Sequence, residues 1–220
     1  MRSDWYGTGV SQFDSVLSFW LRERKLGALI QQSRLTSGFC SPVQGSLVYA
    51  GSLSHQLSQP VEGAGFFVAD LLGRSSPDLS SAMVFYMARS EYHYVHAPED
   101  LTIVDCYEIE SSLSITKAVT EKSPGIYAGK KRCVLVGVNA DGVKVVLVLI
   151  GTRTFGDIVC PVKEGFDPDH PVSFKKGDIL GYFVRGSTVV MMMGKPLAYN
   201  IKDLGKSVDA LSSMGAWYEE

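Results

Sequence analysis

A chain of 220 residues with 45% hydrophobic content holds enough apolar material for one compact domain with its own core. Its formal net charge of −2 carries no general attraction for nucleic acid or anionic lipid. No run of roughly eighteen apolar residues exists, which excludes a transmembrane helix, and Met1-Arg2-Ser3-Asp4 lacks the apolar run of a signal peptide.

Residues 12–33 read as the best helix, because Phe13, Val16, Leu17, Trp20 and Leu21 form one apolar stripe at helical spacing. Packing on a sheet is the expected use of that stripe. Trp20 beside Arg22, Arg24 and Lys25 also suits a lipid interface, so residues 12–33 are the candidate for peripheral membrane contact. Ser33 to Ser41 reads as a loop. From Gly45 onward short strands and turns dominate, with Ser46–Ala50 and Ala82–Met87 the first two strands. Cys133–Val138, Asn139-Ala140-Asp141-Gly142 and Val143–Val148 form the clearest hairpin, since Asp-Gly tolerates the positive φ of a tight turn. Glu164 to His170 reads as a loop, and residues 188–193 as a strand. The expected fold is α+β and mainly β. It is a single compact domain of short antiparallel strands with an N-terminal helix, divided into a helical segment 1–40 and a β domain 41–220.

Cys40, Cys106, Cys133 and Cys160 are widely spaced, with no Cys-x-x-Cys pair or Cys/His cluster. Zinc is not expected, and the four thiols read as small buried hydrophobes in a reducing, cytoplasmic setting. His93 and His96 stand three apart. On an extended strand they face opposite sides, whereas in a turn they converge. A third metal ligand is not evident beside them, so no metal is expected there. His55 and His170 lie in loop-like sequence and read as bystanders.

Five collinear segments carry a resemblance. They are Ser41-Pro42-Val43-Gln44-Gly45 with Leu47-Val48; Asp70-Leu71-Leu72-Gly73; Glu91-Tyr92-His93-Tyr94-Val95-His96-Ala97-Pro98; Val148–Ile158; and Lys176–Phe183 followed by Gly186-Ser187-Thr188. In this order they resemble the phosphatidylserine decarboxylase family of pyruvoyl-dependent decarboxylases, over about Ser41 to Met193. The resemblance implies self-cleavage between Gly186 and Ser187. The serine hydroxyl attacks the Gly186 carbonyl in an N→O acyl shift, and elimination with hydrolysis then turns Ser187 into a covalent pyruvoyl group. Glycine before the serine admits the close attack. His96 is implied as the base that deprotonates Ser187, and His93 as a helper in decarboxylation. Imidazole suits both tasks because it titrates near neutrality. Gly151, Thr152 and Gly156 become candidates for the substrate pocket.

On this reading the pyruvoyl group forms a Schiff base with the substrate amine. Phosphatidylserine then gives phosphatidylethanolamine and CO2. A free amino acid as substrate, a non-catalytic binding homologue and a homodimer stay open. Two positions depart from the family pattern. Gln44 stands where the family carries the aspartate of an Asp/His/Ser triad, and Arg185 replaces the usual leucine before Gly-Ser. A glutamine orients a histidine but does not stabilise an imidazolium by charge, and the comparable Asp→Asn change in a serine protease costs about 10⁴ in rate. The expectation is that Gln44→Asp accelerates cleavage. Asp100 and Asp105 lie near His96 in sequence.

Overall fold

The computed structural model describes residues 26–53, 56–61, 64–76, 78–88, 91–110, 128–151, 158–184, 187–199 and 204–217. Helix α1 spans Leu26–Leu35, followed by strands β1 (Phe39–Cys40), β2 (Gly45–Ser52), β3 (Gln56–Val61) and β4 (Ala64–Phe67). Helix α2 (Val68–Leu72) leads to β5 (Ser81–Met87), β6 (Tyr94–His96), β7 (Leu101–Ile109), β8 (Arg132–Val138) and β9 (Lys144–Ile150). The chain then forms β10 (Ile158–Val159), α3 (Pro161–Glu164), β11 (Val172–Phe174), β12 (Ile179–Phe183) and β13 (Ser187–Met193). It ends in β14 (Leu197–Tyr199), β15 (Ser207–Val208) and β16 (Ser213–Trp217).

An antiparallel eight-stranded sheet, in the order β11-β7-β8-β9-β13-β5-β2-β15, forms the body of the fold. Its central strands are buried on both faces. One face carries Leu47, Phe85, Met87, Leu135, Leu147, Leu149, Val189 and Met191. The other carries Ala82, Val84, Val134, Val148, Val190 and Met192 under Leu71 and Leu72 of α2. Double burial explains the unbroken apolar runs of β9 and β13, since neither face can be polar. The hairpin lies where the sequence puts it, its turn closed by Asn139 Oδ1, which accepts from the Asp141 and Val143 amides, with Gly142 at φ 76°. Two small sheets, β10-β12-β6 and β1-β16-β14, carry the loops near the candidate site.

The mainly β architecture with an N-terminal helix is as expected, but the helix boundary differs. Residues 12–25 of the expected helix lie outside the described residues. At its other end the helix continues through Leu35 instead of yielding to a loop at Ser33. Tertiary contacts override weak local propensity there. The Ser33 hydroxyl bonds back to Ile30 O, and Arg34 reaches Lys176 O and the Asp178 carboxylate. Glu164, expected to open a loop, closes α3.

Arg132 fastens α2 to the sheet. Its buried guanidinium donates to the carbonyls of Asp70, Leu71, Ala128 and Lys130. Asp70 and Leu71 are carbonyls that the end of α2 leaves without intrahelical partners, and the helix stops there at Gly73 with φ 67°. Burial holds the Arg132 pKa below its ordinary value, yet four fixed acceptors compensate the cation. Arg132→Met should lower the unfolding free energy by about 3 kcal/mol, and Arg132→Lys should recover only part, because an ammonium lacks the planar fork. Urea denaturation reads both. An unchanged midpoint for Arg132→Met would show that these carbonyls contribute nothing.

Candidate active site

Strand β6 is where the two histidines are placed. It pairs antiparallel with β12, Ile179 opposite His96 and Tyr182 opposite Tyr94, and the Phe183 amide donates to His93 O at 3.0 Å. The pairing shifts between Ile179 and Gly181, and Gly181 must be glycine because β10 passes close on the other edge: a Cβ there would stand 2.6 Å from Val159 O. On its other side β6 meets the 41–45 turn, where the His96 amide donates to Pro42 O at 2.8 Å. The 175–178 turn closes this arrangement through Ala97 N to Asp178 O and Gly177 N to Ala97 O. Gly177, at φ 88°, is held there by the buried Lys176, whose ammonium donates to Thr36 O and Gly38 O.

Both histidines are buried. His96 Nδ1 lies 2.7 Å from Gly177 O, and a carbonyl can only accept, so Nδ1 carries the proton. Nε2 is then the acceptor for the Tyr92 hydroxyl at 2.9 Å. Tyr92 is fully buried and stacks on both His96 and Tyr94, which fixes the imidazole plane. His93 Nδ1 lies 2.6 Å from Glu91 O, so the same logic makes Nε2 the nitrogen that can take up a proton. Burial pushes the Glu91 carboxyl up, against the lowering effect of the Ala88 amide and Ser207 hydroxyl that donate to it.

Gln44 bonds two neighbours through its side-chain amide. Its Oε1 accepts from the Tyr92 amide at 3.2 Å and its Nε2 donates to Asp209 Oδ1 at 3.4 Å. The side chain therefore positions the backbone of Tyr92, whose hydroxyl meets His96. Asp100 and Asp105 are engaged elsewhere, Asp100 with Lys175 Nζ and the Lys176 amide, Asp105 with Arg74. The group seen on His96 Nδ1 is a neutral backbone carbonyl.

Ser187 opens β13 and is buried, its hydroxyl 3.3 Å from Met87 Sδ. Thioether sulfur is a weak acceptor, so little holds this hydroxyl in place. Ser187 pairs with Met87 on β5, and the register Thr188 with Ile150 sets Gly151 on its other side. The 41–45 turn lies against the same spot, since a Cβ on Gly45 would come 3.3 Å from Met87 Cγ. Gly186, Arg185, Thr152 and Gly156 lie outside the described residues, as does His55. His170 is exposed and pairs with Asp167.

Sequence reasoning passed over three features. Tyr92 and Gly177, which hold the His96 ring, lie inside the quoted motifs, but only the folded backbone aims the Gly177 carbonyl at the imidazole. Cys106, Cys133 and Cys160, read as separate buried hydrophobes, bring their sulfurs within 4.8 Å of one another. Spacing along the chain hid them because they come from β7, β8 and the residue before α3.

The contacts of Gln44 revise what Gln44→Asp should do. A new carboxylate would face that of Asp209 and lose the amide donor. A carboxyl whose folded pKa is raised by a like charge destabilises the fold above its unfolded pKa, and the penalty fades as pH falls. Gln44→Asp should therefore lose about 1–2 kcal/mol at pH 7 and little near pH 3, with Asp209→Asn restoring neutral stability. Thermal melts at both pH values check this. A loss independent of pH would remove Asp209 from the explanation.

The profile of the phosphatidylserine decarboxylase family matches residues 21–215. A phosphatidylserine decarboxylase proenzyme of Psychrobacter arcticus is 30% identical over 200 residues, which cover 84% of this chain and 71% of the relative. One from Helicobacter pylori is 26% identical, covering 81% and 72%, and one from Alcanivorax borkumensis is 27% identical, covering 95% and 78%. With the family's profile matching most of its length, the chain belongs to the phosphatidylserine decarboxylase family of carboxy-lyases.

Proposed function

We propose that the chain is a proenzyme that cuts itself between Gly186 and Ser187 and then decarboxylates phosphatidylserine to phosphatidylethanolamine. One observation carries the reading. Ser187 is a buried, weakly held hydroxyl at the head of a central strand, flanked by Met87 and the Gly151 position, in a chain of this family. A pyruvoyl group made from Ser187 fits that place. It is no larger than the serine it replaces, and the surrounding core keeps bulk water from it.

In self-processing, the Ser187 oxygen forms a bond to the Gly186 carbonyl carbon while the peptide C–N bond breaks. The hydroxyl proton ends on the released amine nitrogen. His96 is assigned the transfer of that proton through Nε2, once the Tyr92 hydroxyl that donates to this nitrogen turns aside. The carbonyl of Gly177 fixes the tautomer but brings no negative charge to stabilise an imidazolium, so processing should be slow beside that of a carboxylate-backed histidine. Once formed, the pyruvoyl group supplies a carbonyl that withdraws the electron pair left by departing CO2. His93, through Nε2, is assigned the proton that the product carbon then takes up.

Intact-mass measurement should find fragments 1–186 and 187–220, the smaller with a blocked N-terminus, while Ser187→Ala stays whole. Only uncut wild-type protein after long incubation would refute autonomous processing. His93→Ala should cleave normally yet release CO2 from carboxyl-labelled phosphatidylserine at least about 100-fold more slowly. Equal loss of cleavage and turnover in that variant would deny the histidines separate tasks.

A further inference from the structure

We propose that Cys106, Cys133 and Cys160 form a three-sulfur site for a soft monovalent cation, copper(I). The cluster stands apart from the machinery around Ser187. Cys133 is opposite Leu149, which in turn is opposite Val189, so it sits two strands across the sheet and two residues along from the serine. Cys133 and Cys106 point to the same face of the sheet, the face that also holds Leu135 and Leu149. Cys160, immediately before α3, closes over them, its thiol directed at Leu180 O.

The separation of the sulfurs suits a metal. Three sulfurs around one ion at a metal–sulfur distance of about 2.3 Å lie about 4.0 Å apart in a trigonal plane. The observed 4.8 Å limit is within an ångström of that, a gap that side-chain rotation closes. No histidine or carboxylate joins the set among the described residues. Zinc prefers four ligands, whereas thiolate softness and three-coordination favour copper(I). The surroundings are apolar: Cys133 and Cys160 belong to the main hydrophobic core, and Cys106 packs against it, as do Ile158, Val162, Phe166 and Phe174. Cys106 is the least buried of the three and gives an ion its way in.

A disulfide between Cys106 and Cys133 fits less well. Cys106 is opposite Leu135 while Cys133 is opposite Glu108, which makes the two cysteines a diagonal pair. Such pairs hold their Cα atoms roughly 7–8 Å apart, past the reach of a disulfide without backbone movement. Each sulfur that becomes a thiolate ligand releases its proton to solvent, and the ion changes no oxidation state.

The test uses the full chain, reduced and oxygen-free, titrated with copper(I) against a coloured copper(I) chelator. Wild-type protein and Cys40→Ala should each hold one equivalent, with a near-ultraviolet sulfur-to-copper band and a raised melting temperature. Cys106→Ser, at the least buried position, and Cys160→Ala should each bind at least about 100-fold more weakly while melting cooperatively without metal. Unchanged affinity in both cluster variants, or no uptake by wild type, overturns the site. Stoichiometric zinc uptake without copper(I) uptake overturns the choice of ion and the trigonal reading with it. Loss of two thiols to a disulfide in metal-free protein, counted by alkylation and mass, overturns it as well.

Discussion

Strand β13 has every residue buried, and a buried backbone amide or carbonyl without a partner costs roughly 1–3 kcal/mol. The strand must therefore be hydrogen-bonded on both edges along its length, which β5 and β9 accomplish in matched registers. A one-residue slip would turn Val189 and Met191 from one core to the other, so the register has no freedom. Ser187 inherits its position from this constraint. Its local contacts are weak, and its place is set by the six residues that follow it.

The histidine strand shows the same economy of local control. His96 is oriented by a carbonyl that exists at that spot because Gly177 takes a left-handed turn, and that turn is braced by Lys176 on the carbonyls of residues 36 and 38. Gln44 acts one step back, on the amide of Tyr92. The Gly177 carbonyl and the Tyr92 hydroxyl on the two ring nitrogens of His96 are both neutral. Such groups orient an imidazole without the electrostatic stabilisation that a carboxylate brings to a cationic transition state.

Much of the fold was legible from the sequence because hydrophobic runs and turn residues act locally. The 133–148 hairpin needed only its Asp-Gly turn and its apolar flanks. The end of the N-terminal helix was not legible, since Arg34 is stabilised by Lys176 and Asp178, far along the chain. At the site, motifs drew attention to Ser187, His93, His96 and Gln44, but not to the groups that Gln44 bonds, the Tyr92 amide and the Asp209 carboxylate. Side-chain identity at position 44 says what the group can donate or accept; only the path of the backbone says to whom. The thiol cluster is the sharper case, because three single cysteines carry no pattern until two neighbouring strands and a helix start converge.

The position of Ser187 at the very start of a central strand has a further consequence. A chain cut just before it becomes two polypeptides, and the smaller one supplies the strand between β5 and β9 together with β14, β15 and β16. The mature molecule would then be a split protein, held by strand complementation without a covalent link. Its native state would persist through slow unfolding, as a kinetically trapped complex. Reassembly after denaturation would be a bimolecular event and so concentration-dependent, where the uncut chain refolds as one body. Maturation at this bond would convert a reversible folding problem into an assembly problem that the cell solves only once.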